Sequence, residues 1–554
     1  MRVYFNILLM IFGLILTIQA QTNLPRDWYY GDPNENYVGI SMNQAYENFL
    51  NKNLGRTVIV AVIDSGIDVE HEDLKDNIWT NPNEIPGNGK DDDNNGYVDD
   101  IHGWNFIGGP NGQNVGSDSY EATRVYASLK YKYENADPTK IAKSQKMEYE
   151  QYTKAKEIVD KEITKAKNNI ARMDEVSMKV KDAIKSLEKA LDGKELNSEN
   201  VTAINADGDQ KLSMGKELVL HYLTDESYTN FTQIEKSMQE DIESDKREYQ
   251  NRLDYAYNIN FDPRKSIVMD DYSNPLEKKY GNNDVEGPNA LHGTHVAGII
   301  GAVRNNGIGM DGVAQNVKLM SVRAVPDGDE RDKDVANAIR YAVDNGASVI
   351  NMSFGKGFSP NKDVVDAAIK YAESKDVLLI HAAGNSAQNN DEKLNYPNQR
   401  FAKKSGFLCK KQKTAKNWIE VGALNYQRGD MYAAPFSNYG AKNVDLFSPG
   451  MKIYSTLPNN EYANLQGTSM AAPVVAGVAA SIRSLYPALT AEQVKEAIMK
   501  SVTPVTEEVI VPGTNGAKAL FSKLSVTGGV VNQNAALMYA SKMKGKKKVA
   551  AERA

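Results

Sequence analysis

A single cysteine, Cys409, stands among the 554 residues. No disulfide can close within the chain, so its stability has to come from a packed core and from metal if any binds. Cys409 sits between Phe407-Leu408 and Lys410-Lys411 and reads as a structural residue rather than a reactive thiol. Positive charge is not in excess either. Lys and Arg number 65 against 72 Asp and Glu, a net charge of −7, which argues against nucleic acid as the main partner. Beyond residue 20 no stretch reads as long and apolar enough to span a membrane. There is no internal repeat and no appended binding module.

What is present begins with a targeting signal. Arg2 supplies a basic start, Ile7 to Ile18 is uncharged and mostly apolar, and Ala20 precedes Gln21 as a cleavage point. Ile18 is larger than the residue usual at that place, and no Cys near the cut invites a lipid anchor. Residues 1–20 therefore read as a signal peptide. The expectation is an exported protein in periplasm, at the cell surface or in the medium, with no stable membrane span once the signal is removed.

The length suits one large α/β domain with an addition. Strands are expected at Lys318–Val325, Ser348–Ser353, Val377–Ala383, Trp418–Ala423 and Val444–Phe447. Helices are expected at Asp332–Asn345, Lys362–Ser374, Ser469–Tyr486 and Ala491–Ser501. Such alternation predicts a mainly parallel sheet with helices on both faces. The addition lies at residues 111–258. Ile163, Ala166, Ile170, Met173, Ser177, Val180, Ile184, Leu187 and Leu191 follow a three-four spacing with one polar break at Ser177, a coiled-coil-like seam. Gly193 ends that helix. A second helix over Asn230–Tyr257 supplies the partner face, and Leu218–Leu223 forms a shorter one. These predict an antiparallel helical arm inserted in the α/β domain. Its candidate roles are spacer, lid, or a surface for a partner or for self-association. The remaining boundaries are a lead-in at 21–55, the main domain at 56–110 and 259–541, and a basic tail at 542–554.

Three stretches carry chemistry together. In Gly467-Thr-Ser469-Met-Ala-Ala-Pro473 a small hydroxyl residue opens an apolar helix, where the positive end of the helix dipole favours developing negative charge. A serine hydroxyl needs a base and a group that orients the base. His292-Gly-Thr-His295 offers the base. Val58-Ile-Val-Ala-Val-Ile-Asp64-Ser-Gly66 ends an apolar strand on an acid, the place where open α/β sheets put functional groups. A fourth stretch, Leu379-Ile-His-Ala-Ala383-Gly384-Asn385, ends another apolar strand on a side-chain amide.

These four stretches, in the order Asp, His, Ser, resemble the subtilisin-like serine peptidases over about residues 55–110 and 260–540. The resemblance implies a subtilisin-like three-layer fold and a serine endopeptidase acting on proteins or peptides. It makes Asp64 the orienting acid, His292 the base, Ser469 the nucleophile and Asn385 the oxyanion donor. It makes His295 a packing residue, Ser353-Phe354-Gly355 the edge that pairs with substrate and lines the first specificity pocket, and Ala383-Gly384 the opposite wall. Two departures stand out. Asp64 and His292 lie 228 positions apart, where compact members have a few tens. About 35 lead-in residues are too few for the folded pro-segment that members usually carry, so little or no autoprocessing is expected. The motif G-x-S-x-G of esterases is absent around Ser469, and His292 argues against the acid peptidases that use Glu. A non-catalytic scaffold displaying the arm, or an esterase or amidase on the same fold, is the competing reading.

No cofactor is expected for the chemistry, and structural calcium is. Asp91, Asp93 and Asn95 alternate before Gly96, with Asp99 and Asp100 following. This is the first half of an EF-hand-like loop. The full pattern fails because its twelfth position is His102, and the alternative is a solvated acidic turn. Asp73, in His71-Glu-Asp73-Leu74, matches a calcium-holding acid of the family and serves equally as a turn or capping residue. Asn305-Asn306-Gly307 resembles the family's calcium loop faintly. Asn205-Ala-Asp207-Gly-Asp209 reads as an ordinary loop.

Overall fold

The computed structural model describes residues 24–546 except 35–36, 54, 225–226 and 403–412. The expected signal peptide, Cys409 and the end of the basic tail lie outside the described residues. The chain forms two compact units, Ala122–Phe261 and a larger one made of Asn23–Glu121 with Asp262–Ala554.

The smaller unit is helical. Its spine is α1 (Lys146–Leu191), against which α2 (Gln210–Tyr222) and α3 (Phe231–Asn251) pack. Met173, Val180, Ile184, Leu187 and Leu191 of the expected seam are buried there together with Val176, while Ile163 and Ile170 are half-buried. The α1–α3 pair is antiparallel. Ser177 Oγ donates to Gln239 Oε1 at 2.5 Å, and Lys246 Nζ donates to Asp174 at 2.6 Å. The polar break in the seam is thus answered by a polar partner. α2 starts eight residues before the expected helix. Asp209 caps it by accepting from the Leu212 N–H. Gly215, which lowers helix propensity, is required because a Cβ there would lie 2.3 Å from the Ala183 carbonyl oxygen.

The larger unit is built on a nine-stranded sheet. In chain order its strands are β1 (Val58–Asp64), β2 (Gly103–Asn105), β3 (Val317–Arg323), β4 (Val349–Met352), β5 (Leu378–Ala382), β6 (Trp418–Leu424) and β7 (Leu446–Pro449). A hairpin of β8 (Ile453–Leu457) and β9 (Glu461–Leu465) stands apart. The short β10 (Thr503–Pro504) and, after the small hairpin β11 (Glu508–Ile510) and β12 (Lys518–Leu520), β13 (Gly529–Val530) complete the set. The sheet order is β10-β13-β7-β6-β5-β4-β1-β3-β2, parallel except for β10 against β13. β1, β3 and β4 to β7 are nearly continuous apolar runs because both faces of a parallel sheet are covered. The covering helices are α4 (Leu291–Gly301), α5 (Asp332–Asp344), α6 (Lys362–Ser374), α7 (Thr468–Leu485), α8 (Ala491–Lys500) and α9 (Gln533–Ser541). This is the mainly parallel α/β sheet with an inserted helical arm that the sequence predicts.

Two details position the site. From β1 the chain winds to β3 on one side, then crosses to β4 on the other, so the winding reverses beside β1. Asp64 ends β1 at that switch, where a crevice opens beyond the strand ends. α7 is enclosed on nearly every side, which its small apolar residues permit. It is long and apolar enough to cross a membrane, contrary to the reading of the sequence, and its burial within the fold accounts for that composition.

Candidate active site

Ser469, His292 and Asp64 come from the first turn of α7, the first turn of α4 and the end of β1. α4 approaches β1 closely because residue 293 is glycine. A Cβ there would lie 2.1 Å from the Gly66 carbonyl oxygen and 3.2 Å from the Asp64 Cβ. The approach lets His292 Nδ1 donate to Asp64 Oδ1 at 2.7 Å. Asp64 is almost wholly enclosed, with Oδ1 also accepting from the Ser65 N–H at 2.7 Å and Oδ2 unpartnered. His292 is 37% exposed on its side chain. Burial pulls its pKa down, but the charge and hydrogen bond of Asp64 outweigh that and hold the imidazole above its ordinary value. His295, one turn along, behaves oppositely. Its burial pushes it down to about 3, so the ring is neutral and donates from Nε2 to the Ala463 carbonyl oxygen at 3.1 Å.

The nucleophile candidate is held by the strand end beside it. Pro473 has no N–H, so the Ser469 carbonyl lacks its helical donor four residues on. Ser353 Oγ supplies one at 2.8 Å, itself receiving from Asn351 Nδ2 at 2.9 Å. In return Ser469 Oγ donates to the Ser353 carbonyl oxygen at 3.1 Å. Asn385 is fixed by its oxygen, which accepts from the Thr468 N–H and the Thr468 hydroxyl, both at 2.9 Å. Its Nδ2 lies 3.3 Å from where a Cβ on Gly467 would stand. The Gly384 N–H donates to Thr468 Oγ1 at 3.1 Å, tying the other wall to the same turn. Asp64 and His292 thus form one hydrogen-bonded pair, while Ser353 with Ser469, and Gly384 with Asn385 through Thr468, form a second linked group around the start of α7.

The comparisons with known proteins agree on one family. The subtilase family profile matches residues 55–524. The chain belongs to the subtilase family. It is 37% identical over 213 residues to a thermostable alkaline protease of Halalkalibacterium halodurans, covering 38% of this chain and 52% of that protein. It is 38% identical over 216 residues to subtilisin DY of Bacillus licheniformis, covering 38% of this chain and 70% of the relative. The chain thus spans about half the length of the first relative it matches. A solved protease structure from Pseudoalteromonas arctica aligns at 27% identity and a TM-score of 0.37, covering 47% of this subtilase and 78% of the other chain.

One residue of this subtilase's site escapes sequence reading. Asn395 reaches between the two walls. Its Nδ2 lies 2.5 Å from where a Cβ on Gly355 would stand and 3.3 Å from one on Gly384, and it donates to the Ala383 carbonyl oxygen at 3.3 Å. Phe354 is buried with its ring edge toward His381. The slot between Ser353-Phe354-Gly355 and Ala383-Gly384 therefore has a carboxamide across it.

The structure divides the residues considered for metal. Asp91 accepts from the Asn95 and Gly96 N–H groups, and Asp99, with φ of 53°, accepts from those of Asn88 and Gly89. Both carboxylates bind loop N–H groups, and Asp91 shares the Asn95 N–H with Asp93. Asp93 also converges with Asp100 and with Glu84, which the loop pattern did not include. Asn95 bridges Asp93 and Asp100 through its Nδ2, at 3.2 and 3.0 Å. Burial lifts the Asp100 carboxyl to about 6. Asp73 stands elsewhere, accepting from Asn306 Nδ2 at 2.7 Å and the Met310 N–H at 3.0 Å. In the helical unit, Asn205 and Asp209 accept from the N–H groups of Asp207 and Leu212 as loop and cap.

Proposed function

We propose that the chain is an exported serine endopeptidase that cleaves proteins or peptides through an acyl-enzyme. The observation that supports this most is the 2.7 Å bond from His292 Nδ1 to the buried Asp64 carboxylate, beside a second group in which Ser469 bonds to Ser353 and Asn385 to Thr468. With Nδ1 committed as donor, Nε2 is the nitrogen left to accept a proton. Ser469 Oγ turns from the Ser353 carbonyl as it attacks the substrate carbonyl carbon. The Oγ–C bond forms and the proton passes to Nε2. Asp64 stabilises the imidazolium, and Asn385 Nδ2 with the Ser469 N–H hold the oxyanion. Collapse breaks the C–N bond, and His292 gives its proton to the leaving amine. Water then repeats the sequence and frees the serine. This chemistry draws on no cofactor. Substrate backbone lies as an added strand along Ser353–Gly355, with the side chain before the cleaved bond entering the slot that Asn395 crosses.

A fluorophosphonate probe tests the reading. Purified protein should be labelled on Ser469 alone, as located by mass spectrometry, and Ser469→Ala should take no label. Label at another residue, or none on well-folded protein, would sink the proposal.

A further inference from the structure

The edge Ser353–Gly355 is followed by a buried lysine. The Lys356 side chain is 1% exposed, and its ammonium meets Glu121 Oε2 at 2.8 Å, Asp332 Oδ1 at 2.9 Å and the Glu330 carbonyl oxygen at 2.7 Å. Both carboxylates are enclosed as well, so water screens these attractions little and either partner alone would be a stranded charge. The backbone of Lys356 is also held. Its N–H donates to the Tyr396 carbonyl oxygen, and the Tyr396 N–H donates to the Lys356 carbonyl oxygen, both at 2.9 Å. Tyr396 follows Asn395, whose carboxamide crosses the slot. At the other end of the edge, Ser353 bonds to Ser469 in both directions. Phe354 and Gly355 thus run between two anchors.

The second anchor stands at the root of the insertion. Glu121 is the last residue of the larger unit before the helical one, and it opens the helix Glu121–Tyr133. Its N–H donates to Asp329 Oδ2 at 2.8 Å. Just before it, Asp118 accepts from the Arg331 guanidinium at 2.8 and 2.9 Å. Residues 116–118 pair with Asp327 through two backbone bonds, of 2.8 and 3.0 Å. Glu121 therefore offers its carboxylate to Lys356 from a fixed base. Asp332, from the start of α5, also accepts from the Ser359 hydroxyl and the Asn361 N–H, at 3.0 and 2.8 Å, and so holds the chain beyond Lys356.

We propose that Lys356, gripped by Glu121 at the root of the helical insertion, is a positioning residue that sets the substrate-binding edge Ser353–Gly355. The inference rests on the peptidase reading above. A peptide adds to an edge as a strand only where that edge holds its backbone straight over several residues, at a spacing of about 4.8 Å. Gly355 has no side chain with which to fix itself, so its place is decided by its neighbours. Lys356 decides it from one side, through a carboxylate that the insertion's entry segment supplies. The start of the insertion is thereby part of what binds substrate, whatever the rest of the helical unit does.

The test compares two substrates on the whole chain: a peptide extending four residues before the cleaved bond, which needs the edge, and an ester of a single amino acid, which barely uses it. Fluorophosphonate labelling of Ser469 in the parent checks the peptidase reading separately. Lys356→Met should raise KM for the extended peptide by about tenfold or more with a smaller fall in kcat, and change kcat/KM for the ester far less. Glu121→Gln, which keeps the shape and removes the charge, should act in the same direction, and it gives the answer should Lys356→Met fold poorly. The double variant should be no worse than Lys356→Met alone, because both changes break one interaction. A labelled parent whose single variants keep its ratio of extended-peptide to ester kcat/KM, or whose double variant shows the two losses multiplied, overturns the inference alone. A parent that takes no label fails the peptidase reading, and the inference with it.

Discussion

Lys179 and Glu175 of the helical unit meet at 2.6 Å with more than half of each side chain in solvent. Arg264 and Asp334 of the larger unit meet at the same 2.6 Å almost wholly enclosed. The contrast runs through both units. In the helical unit, Lys156–Asp160 lies along α1 and Lys246–Asp174 joins α3 to α1, both partly in solvent, while the apolar seam does the packing. In the larger unit, Arg264 also grips Asp270, Lys333 joins Asp270 to Glu277, and Lys356 joins Glu121 to Asp332, mostly out of water. Equal distances therefore carry unequal consequences. An exposed pair is worth about 0–1 kcal/mol because water screens it. Removing one partner of an enclosed pair strands a charge and costs about 3–5 kcal/mol. In the candidate active site Asp64 follows the second pattern, almost wholly enclosed beside His292.

The largest effect is expected where an enclosed charge serves chemistry. Asp64→Asn should lower kcat by about 10⁴-fold, the scale seen for the equivalent change in a serine protease of another fold, while leaving the circular dichroism spectrum unchanged. A pH profile sharpens this. Because Asp64 holds His292 above its ordinary value, the acid limb of kcat/KM should lie above about 6.5 and fall in Asp64→Asn. The raised value also adds stability that is complete below the unfolded pKa and fades as pH rises through the folded one. A limb that stays in place in the variant would contradict the assignment.

Next in size is Arg264→Met. It should lower the unfolding free energy of the larger unit by about 3–5 kcal/mol, read from denaturant midpoints. A loss no greater than for an exposed pair would erase the contrast. Asn395→Gly should deepen the slot between Gly355 and Gly384 and shift kcat/KM toward large aromatic side chains before the cleaved bond by about tenfold or more. An unchanged preference in a peptide-library profile would place the specificity wall elsewhere. The smallest effect belongs to Lys179→Ala, expected within about 0.5 kcal/mol of the parent.

What was legible in the sequence was what chemistry compresses into neighbouring residues. Asp64-Ser-Gly66, His292-Gly-Thr-His295 and Gly467-Thr-Ser469 each pair a functional group with the small residues that let its element approach, and Gly293 packs against Gly66 and Asp64 accordingly. The alternating strands and helices were legible for the same reason, since burial on both sheet faces leaves continuous apolar runs. Residues whose roles depend on distant partners were not. Glu84 sits in Asn81-Pro-Asn-Glu84-Ile-Pro, a stretch that reads as a turn, and only folding brings it to Asp93 and Asp100. Asn395 acquires its place from two glycines, 40 and 11 positions before it in the sequence. The early start of α2 was hidden because Gly215 weakens a helix locally and is needed only where α1 comes close.

Pro473 has a consequence for when this chain can act. By withholding a donor from the Ser469 carbonyl, it hands that role to Ser353, a residue 116 positions earlier. The nucleophile's setting is thus a long-range agreement between strand end and helix, of the kind that forms only once distant segments have met. A full-length but unfolded polypeptide holds Ser353 and Ser469 and still lacks the bond between them. The setting of Ser469 is therefore complete only when the fold is.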